Sequence, residues 1–365
     1  MLATLYFISA LGCALAWNWF ALVSFRVIGG IGIGGSSVAG PMYIAEISPP
    51  KWRGRLVGLF QFNVCGGILL AYLSNYLLSL ASLGAFEWRW KLGVSAFPAL
   101  IFGILTLAIP ESPRWLVEQK READALNVLR TISESECESQ LQQMILARDA
   151  EEETSHHRLF SRAHRFPIFL AISLGMFNQL SGINAILYYL NDIFAHAGFD
   201  TLSSNLQAVA VGATNFLLTM VAMSVIDKLG RKRMLMIGAA GTAICLGGVA
   251  EIFFTGLHHN YLVWLLIAYI GFFSFSQGAV IWVYLSEVFP TDVRAKGAGL
   301  GSFTHWLMNA LVSGIYPVVA ANSGGKPFAF FSCMMVLQLF VVSIFYPETK
   351  GISLEEMQAK LARPH

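Results

Sequence analysis

The stretch YIAEISPPKWRGRLVG, residues 43–58, returns as YLSEVFPTDVRAKGAG at residues 284–299. Tyr43, Glu46, Pro49, Arg53 and Gly58 thereby recur as Tyr284, Glu287, Pro290, Arg294 and Gly299, at a constant offset of 241. A second block keeps the same order: Pro110-Glu111 recurs as Pro347-Glu348. Each match stands at the polar end of a long apolar run. Five matches in register, followed by a second block, mark two copies of one unit with the same orientation.

Composition says what surrounds these units. The chain has 365 residues, of which 56% are hydrophobic and 13% charged, with a mean hydropathy of +0.60. A soluble domain carries about 25% charged residues. A water-soluble fold of this size cannot hide so much apolar surface, so the expected solvent is a lipid bilayer. The net charge of +2 points to no partner, and no basic patch interleaved with aromatics suggests nucleic acid. Cys13, Cys65, Cys137, Cys245 and Cys333 show no paired spacing. They read as small apolar fillers rather than as disulfides or metal ligands. No nucleophile–base or metal-ligand spacing lies within the apolar runs, so neither an enzyme nor a cofactor is expected.

A membrane span needs roughly 20 apolar residues. Ten windows qualify: 2–18, 20–44, 56–80, 89–109, 167–190, 206–226, 234–255, 261–286, 297–320 and 327–346. Their connections alternate between short uncharged turns and the charged segments 45–55, 110–166, 227–233, 287–296 and 347–365. The charged set holds 20 of the 24 Lys and Arg. The positive-inside bias places it, and both chain termini, on the cytoplasmic side of a cell membrane. The expected organisation is a four-helix N-terminal bundle at 1–109, a cytoplasmic helical linker at 110–166, a six-helix bundle at 167–346 and a cytoplasmic tail at 347–365. Within the linker, 113–131 has helical apolar spacing, and 133–158 reads better as a solvated connection.

The repeat also counts. It aligns span 20–44, second in its half, with span 261–286, fourth in its half. The loop DKLGRKR at 227–233 finds no counterpart, because the same offset falls upstream of Met1. The first copy is thus expected to lack two spans, giving 10 of 12, in preference to a natural ten-span protein. Same-orientation repeats of this kind build membrane carriers.

At this point the motifs acquire a family. The chain resembles the sugar porter branch of the major facilitator superfamily, near bacterial sugar/proton symporters and facilitative glucose transporters. The resemblance is carried by RVIGGIGIG (26–34), PESPRWL (110–116), QLSGINAILYY (179–189), DKLGRKR (227–233) and PETKG (347–351), in family order from end to end. It implies an all-α, polytopic fold of two parallel helical bundles. It also implies a monomer in a lipid bilayer that moves a hexose or pentose by alternating access, with proton symport ahead of facilitated uniport.

The polar residues inside spans fit that expectation. An uncharged polar side chain in lipid needs a partner or a water-filled cavity. Span 167–190 carries Asn178, Gln179, Ser181, Asn184 and Tyr188, with Gly182 placed to break the helix. Amides donate and accept without charge, matching sugar hydroxyls better than an ion. Helix–helix adhesion is the alternative use of such groups. Family likeness adds Gln61, Asn215, Trp282, Trp306 and Asn309 to the sugar-binding set, Trp282 as the residue that stacks on the ring. A packing aromatic is its alternative. His305 stands where the family more often has an amide, which bears on sugar preference and pH sensitivity.

Arg26, a base inside span 20–44, needs a carboxylate or water. The resemblance makes it a proton-coupling candidate, with snorkelling as the alternative. The repeated charges Glu46, Arg53, Glu287 and Arg294, together with Glu111, Arg114, Glu348 and Arg231, read as a cytoplasmic gate whose pairs bias a two-state equilibrium. Setting topology is their other reading. A polyol or inositol carrier, a membrane sugar sensor and a transport-inactive fragment complete the alternatives.

Overall fold

Gly182, Gly230 and Gly256, all at positive φ, stand at helix ends. The structure, a computed structural model, describes residues 1–48, 53–81, 83–132, 137–153, 159–196, 201–289 and 293–350. Pro49, Pro290, the segment 351–365 and the side chains of Arg53 and Arg294 lie outside the described residues. Among the described residues every regular element is helical, as the fold class expected from the sequence requires.

The chain divides into two compact units, Met1–Phe60 with Leu77–His157, and Gln61–Tyr76 with Arg158–His365. The first unit contains α1 (Leu2–Leu15), α2 (Trp19–Ile47), the ends of α3 (Arg53–Leu80), α4 (Glu87–Gly93) and α5 (Ala96–Thr106). Asn18 caps α2 by accepting from the Ala21 amide at 2.8 Å. This satisfies one of the donors that a helix start leaves unpaired. Arg89 donates to the Ala14 carbonyl at 2.8 Å and lies over the Trp88 ring at 4.5 Å. Window 89–109 is not one helix, because α4 and α5 are separated by a turn at Val94 and Ser95.

The linker is more ordered than its sequence suggested. It forms α6 (Pro113–Glu118), α7 (Glu122–Ile132) and α8 (Cys137–Glu153). Leu116, Val117 and Ala125 are buried together, and Leu141, Met144 and Ile145 of α8 pack on them. Those three recur at helical spacing, which a solvated connection over 133–158 does not use. Arg148 ties α8 back, donating to Glu122 and to the Val117 carbonyl, both at 3.1 Å.

The second unit contains the middle of α3, then α9 (Arg165–Leu180), α10 (Ile183–Tyr188), α11 (Leu190–His196), α12 (Thr201–Leu229) and α13 (Arg231–Thr255). After them come α14 (Leu262–Phe273), a π-helical turn Ser274–Gly278, α15 (Ala279–Glu287), α16 (Arg294–Asn322) and α17 (Gly325–Phe345). Gly182 adopts φ +82° between α9 and α10, and a Cβ there would collide with Phe331. Only glycine takes that conformation and that contact without strain. One continuous apolar core joins α10 to α14, α16 and α17, and another joins α9 to α15 and Tyr346.

Among the described residues, seven helical stretches are long and apolar enough to cross a bilayer, including Arg165–Tyr188, Arg231–Thr255 and His259–Leu285. The other three windows fall short for separate reasons. α1 has 14 residues, about 21 Å at 1.5 Å per residue. Window 89–109 is broken. α16 is long but carries Ser302, Thr304, His305, Asn309 and Ser313. Ile244, Phe340 and Ile344 project outward from α13 and α17, which suits a lipid solvent and not water.

Candidate functional site

The polar residues of α16 meet those of α9 because both helices carry glycine at the crossing. A Cβ on Gly175 would come 2.9 Å from the Gly301 carbonyl and 3.2 Å from the His305 amide. That close approach sets His305 beside Gln179, whose Nε2 lies 3.2 Å from the imidazole nitrogens.

From there a chain of amides runs through the unit. The Gln179 Nε2 donates to Asn178 Oδ1 at 3.2 Å, and Asn184 Nδ2 donates to Gln179 Oε1 at 3.0 Å. Asn178 Nδ2 reaches the Gln277 carbonyl at 3.5 Å. Asn178 and Gln179 are buried, and Asn184 is half-buried. The break at Gly182 is itself held by polar bonds. Ser181 Oγ donates to the Asn178 carbonyl at 2.7 Å, and the buried Tyr269 hydroxyl donates to the Ser181 carbonyl at 2.9 Å. Beyond the break, Asn309 donates to the exposed Tyr188 hydroxyl at 3.4 Å and accepts from Ser313 at 3.0 Å. Trp282 and Trp306 flank His305, with ring centroids at 5.4 and 5.2 Å.

A second polar group lies on α3 and α12. Gln61 Nε2 donates to the Cys65 thiol at 3.5 Å, and Cys65 contacts Thr219 Oγ1 at 3.4 Å. Asn215 Oδ1 accepts from Ser274 at 2.6 Å. The π-helical turn therefore touches both groups, Asn215 through Ser274 and Asn178 through the Gln277 carbonyl. A π-turn widens the helix by one residue and redirects its carbonyls. The cluster contains no charged side chain among the described residues. It can donate to and accept from a neutral polyhydroxylated ligand, with indole faces beside it.

The ten sugar-binding candidates all belong to the second unit. Sequence reasoning missed four neighbours. Cys65, read as a filler, is buried against Gln61 and Thr219. Ser274 orients Asn215. Gln277 donates to Gln338 at 2.8 Å, while Gln277 Oε1 and Gln338 Nε2 have no partner among the described residues. Uncharged amides within spans were the available signal for Gln277 and Gln338.

Arg26 is exposed on α2, with no hydrogen bond or ion pair among the described residues. Of the repeated charges, Glu46 accepts from the Ser112 hydroxyl, and Glu287 accepts from Thr349 Oγ1 at 2.6 Å. Tyr43 donates to the Pro110 carbonyl at 2.7 Å, and Tyr284 to the Pro347 carbonyl at 3.1 Å. Arg231 pairs with Glu287 at 2.9 Å. The Glu348 carboxylate receives the Arg231 and Lys232 amides at 2.8 and 3.2 Å, an acid seated on the positive end of α13. Glu111 pairs instead with Arg121 at 2.9 Å, and Arg114 is exposed.

Comparisons with known proteins find similar chains over nearly the whole sequence. A family profile described as sugar (and other) transporter matches residues 1–361. The D-xylose-proton symporter of Escherichia coli (strain K12) is 35% identical over 349 residues, covering 92% of this chain and 71% of that protein. The major myo-inositol transporter IolT of Bacillus subtilis (strain 168) is 34% identical over 369 residues, covering 98% and 78%. The solved structure of the major facilitator proton:xylose symporter XylE bound to 6-bromo-6-deoxy-D-glucose superposes with a TM-score of 0.84 at 33% identity. That match covers 99% of this chain and 82% of that one.

Proposed function

Because the chain belongs to the sugar transporter family of the major facilitator superfamily, we propose that it carries a neutral hexose or pentose across the membrane with a proton, by alternating access. It is an all-α, multi-pass membrane transporter and not an enzyme. The observation that carries the sugar assignment is the linked, uncharged amide chain Asn178–Gln179–Asn184. Its middle member, Gln179, meets His305, which stands between two tryptophans.

In this reading Gln61, Asn178, Gln179, Asn184, Tyr188, Asn215, His305 and Asn309 exchange hydrogen bonds with sugar hydroxyls. Trp282 and Trp306 cover the apolar face of the ring. Existing bonds among the amides pre-orient them, so little rotamer entropy is lost on binding. Arg26 is assigned to proton coupling as the fixed cation beside which a carboxylate would gain or lose the proton. Glu46, Arg53, Glu287 and Arg294, with Glu111, Arg114, Arg231 and Glu348, form the gate on the cytoplasmic side of the cell membrane. The two bundles joined by 110–166 rock as a monomer about that gate, both termini cytoplasmic.

The test is uptake of labelled D-xylose into vesicles under an imposed pH gradient. Gln179→Ala should lower saturable uptake at least about tenfold, the loss of one or two buried hydrogen bonds, while the protein still inserts. Unchanged kinetics in that variant sink the sugar site. Saturable uptake that reaches only the external concentration, with or without the gradient, favours a uniporter. A polyol reading is favoured by the inositol-transporting relative, and competition by myo-inositol decides it.

A further inference from the structure

The end of α9 remote from the amides carries a second polar feature. Phe160, Ser161, Arg162, Arg165 and Ile168 line a cavity of about 280 Å³. Arg165 is the first residue of both α9 and the membrane-crossing stretch Arg165–Tyr188. The cavity therefore stands at the depth where polar chain gives way to apolar helix.

Among the described residues its charge has no carboxylate partner. Arg121, Arg148 and Arg231 each hold a carboxylate, whereas Arg162 and Arg165 are exposed and make no ion pair among the described residues. The Ser161 hydroxyl meets His164 Nδ1 at 3.0 Å, which adds no negative charge. Beside the arginines the surface is apolar. Phe160 is 77% exposed. Phe169 and Ile172 are also exposed, four and seven residues on from Arg165, which puts all three on one helical face. Phe345 of α17 packs edge-on against Phe169 at 5.6 Å.

Two guanidinium groups thus stand above an apolar track at the membrane boundary. Guanidinium groups bind phosphate oxygens in pairs, and basic pockets beside transmembrane helices suit anionic headgroups. We propose that this cavity holds the phosphate of an anionic phospholipid, with Arg162 and Arg165 on the phosphate oxygens and Phe160, Ile168 and Phe169 against its acyl chains. Inorganic phosphate shares the headgroup chemistry but leaves the aromatic wall uncovered. The site is separate from the amide cluster and stands whether or not the sugar assignment does.

The experiment uses the full chain purified in detergent and titrated with phosphatidylglycerol, phosphatidylcholine or inorganic phosphate, bound lipid being counted by native mass spectrometry. Phosphatidylglycerol should bind at least about tenfold more tightly than phosphatidylcholine. The double variant Arg162→Gln/Arg165→Gln should lose about tenfold of that affinity, with phosphatidylcholine binding unchanged. Arg162→Lys/Arg165→Lys should retain most of it. If the double glutamine variant fails to fold, the single Arg162→Gln, at an exposed turn, carries the test with a smaller loss. Equal phosphatidylglycerol affinity in wild type and glutamine variants overturns the proposal. So does displacement of the lipid by inorganic phosphate at matched concentration, which makes the site one for a soluble anion.

Discussion

Pro110-Glu111-Ser112 and Pro347-Glu348-Thr349 end equivalent segments of the two units, and they share two kinds of bond. In each, a tyrosine donates to the proline carbonyl and a hydroxyl two residues on donates to the repeated glutamate. Beyond that the two differ. Glu287 also holds Arg231, which is 9% exposed, and Glu348 sits on the first amides of α13. Glu111 holds the half-exposed Arg121 instead. The hydroxyl latch is therefore the conserved part of the internal repeat. The charges around it have been put to different uses, one buried and structural, the other wet.

The sharpest way to break the comparison is to remove the two arginines. Arg231→Met takes the guanidinium away from the part-buried Glu287, which keeps the bond from Thr349 Oγ1. Breaking one side of a buried pair costs about 3–5 kcal/mol, and less where a partner reaches water. With Glu287 24% exposed, a loss of about 2–4 kcal/mol is expected, read as a clear drop in Tm in detergent. Arg121→Met should leave Tm nearly unchanged, because exposed pairs contribute little. Equal losses in the two variants would falsify the distinction between a buried and a wet latch.

The sequence already showed the repeat, the windows of most spans and the Gly182 break, because each is written locally in period or composition. Gln179 and Asn184 were legible for the same reason, being uncharged amides in an apolar run. What stayed hidden depends on neighbours far along the chain. Cys65 looks apolar until α12 sets Thr219 and Asn215 against it. The π-turn at Ser274–Gly278 has no composition of its own. Nothing in 137–153 says helix as clearly as the Leu116 and Val117 surface that α8 covers. Arg26 was expected to demand a partner, and among the described residues it has none.

A finer test compares the tyrosines. Tyr284 is fully buried and stacks on Tyr346 with centroids at 5.4 Å, whereas Tyr43 is half-buried. Tyr284→Phe removes the hydrogen bond from a fully buried tyrosine to the carbonyl of half-buried Pro347, for a loss of about 1 kcal/mol. Tyr43→Phe lets water reach Pro110, so about 0.5 kcal/mol is expected. Thermal unfolding of the two single variants and of the double measures both values. Additive losses are expected, because the two bonds lie in separate units and share no partner.

The smallest effect belongs to Glu111. Glu111→Gln keeps the shape and removes the charge facing Arg121. Arg121 still has Asp124 at 2.8 Å, so its guanidinium is not abandoned. Both side chains are about half exposed, and water and salt screen what remains. Stability should change by less than about 0.5 kcal/mol at physiological ionic strength. At the corresponding position Glu348→Gln loses more, because a neutral amide accepts from the Arg231 and Lys232 amides without the charge that favours the positive end of α13. A Glu111→Gln loss as large as that of Glu348→Gln, measured side by side in low and high salt, would show that the first latch is also buried in the working protein. The charge pairing in the two units would then be as alike as their hydroxyl bonds.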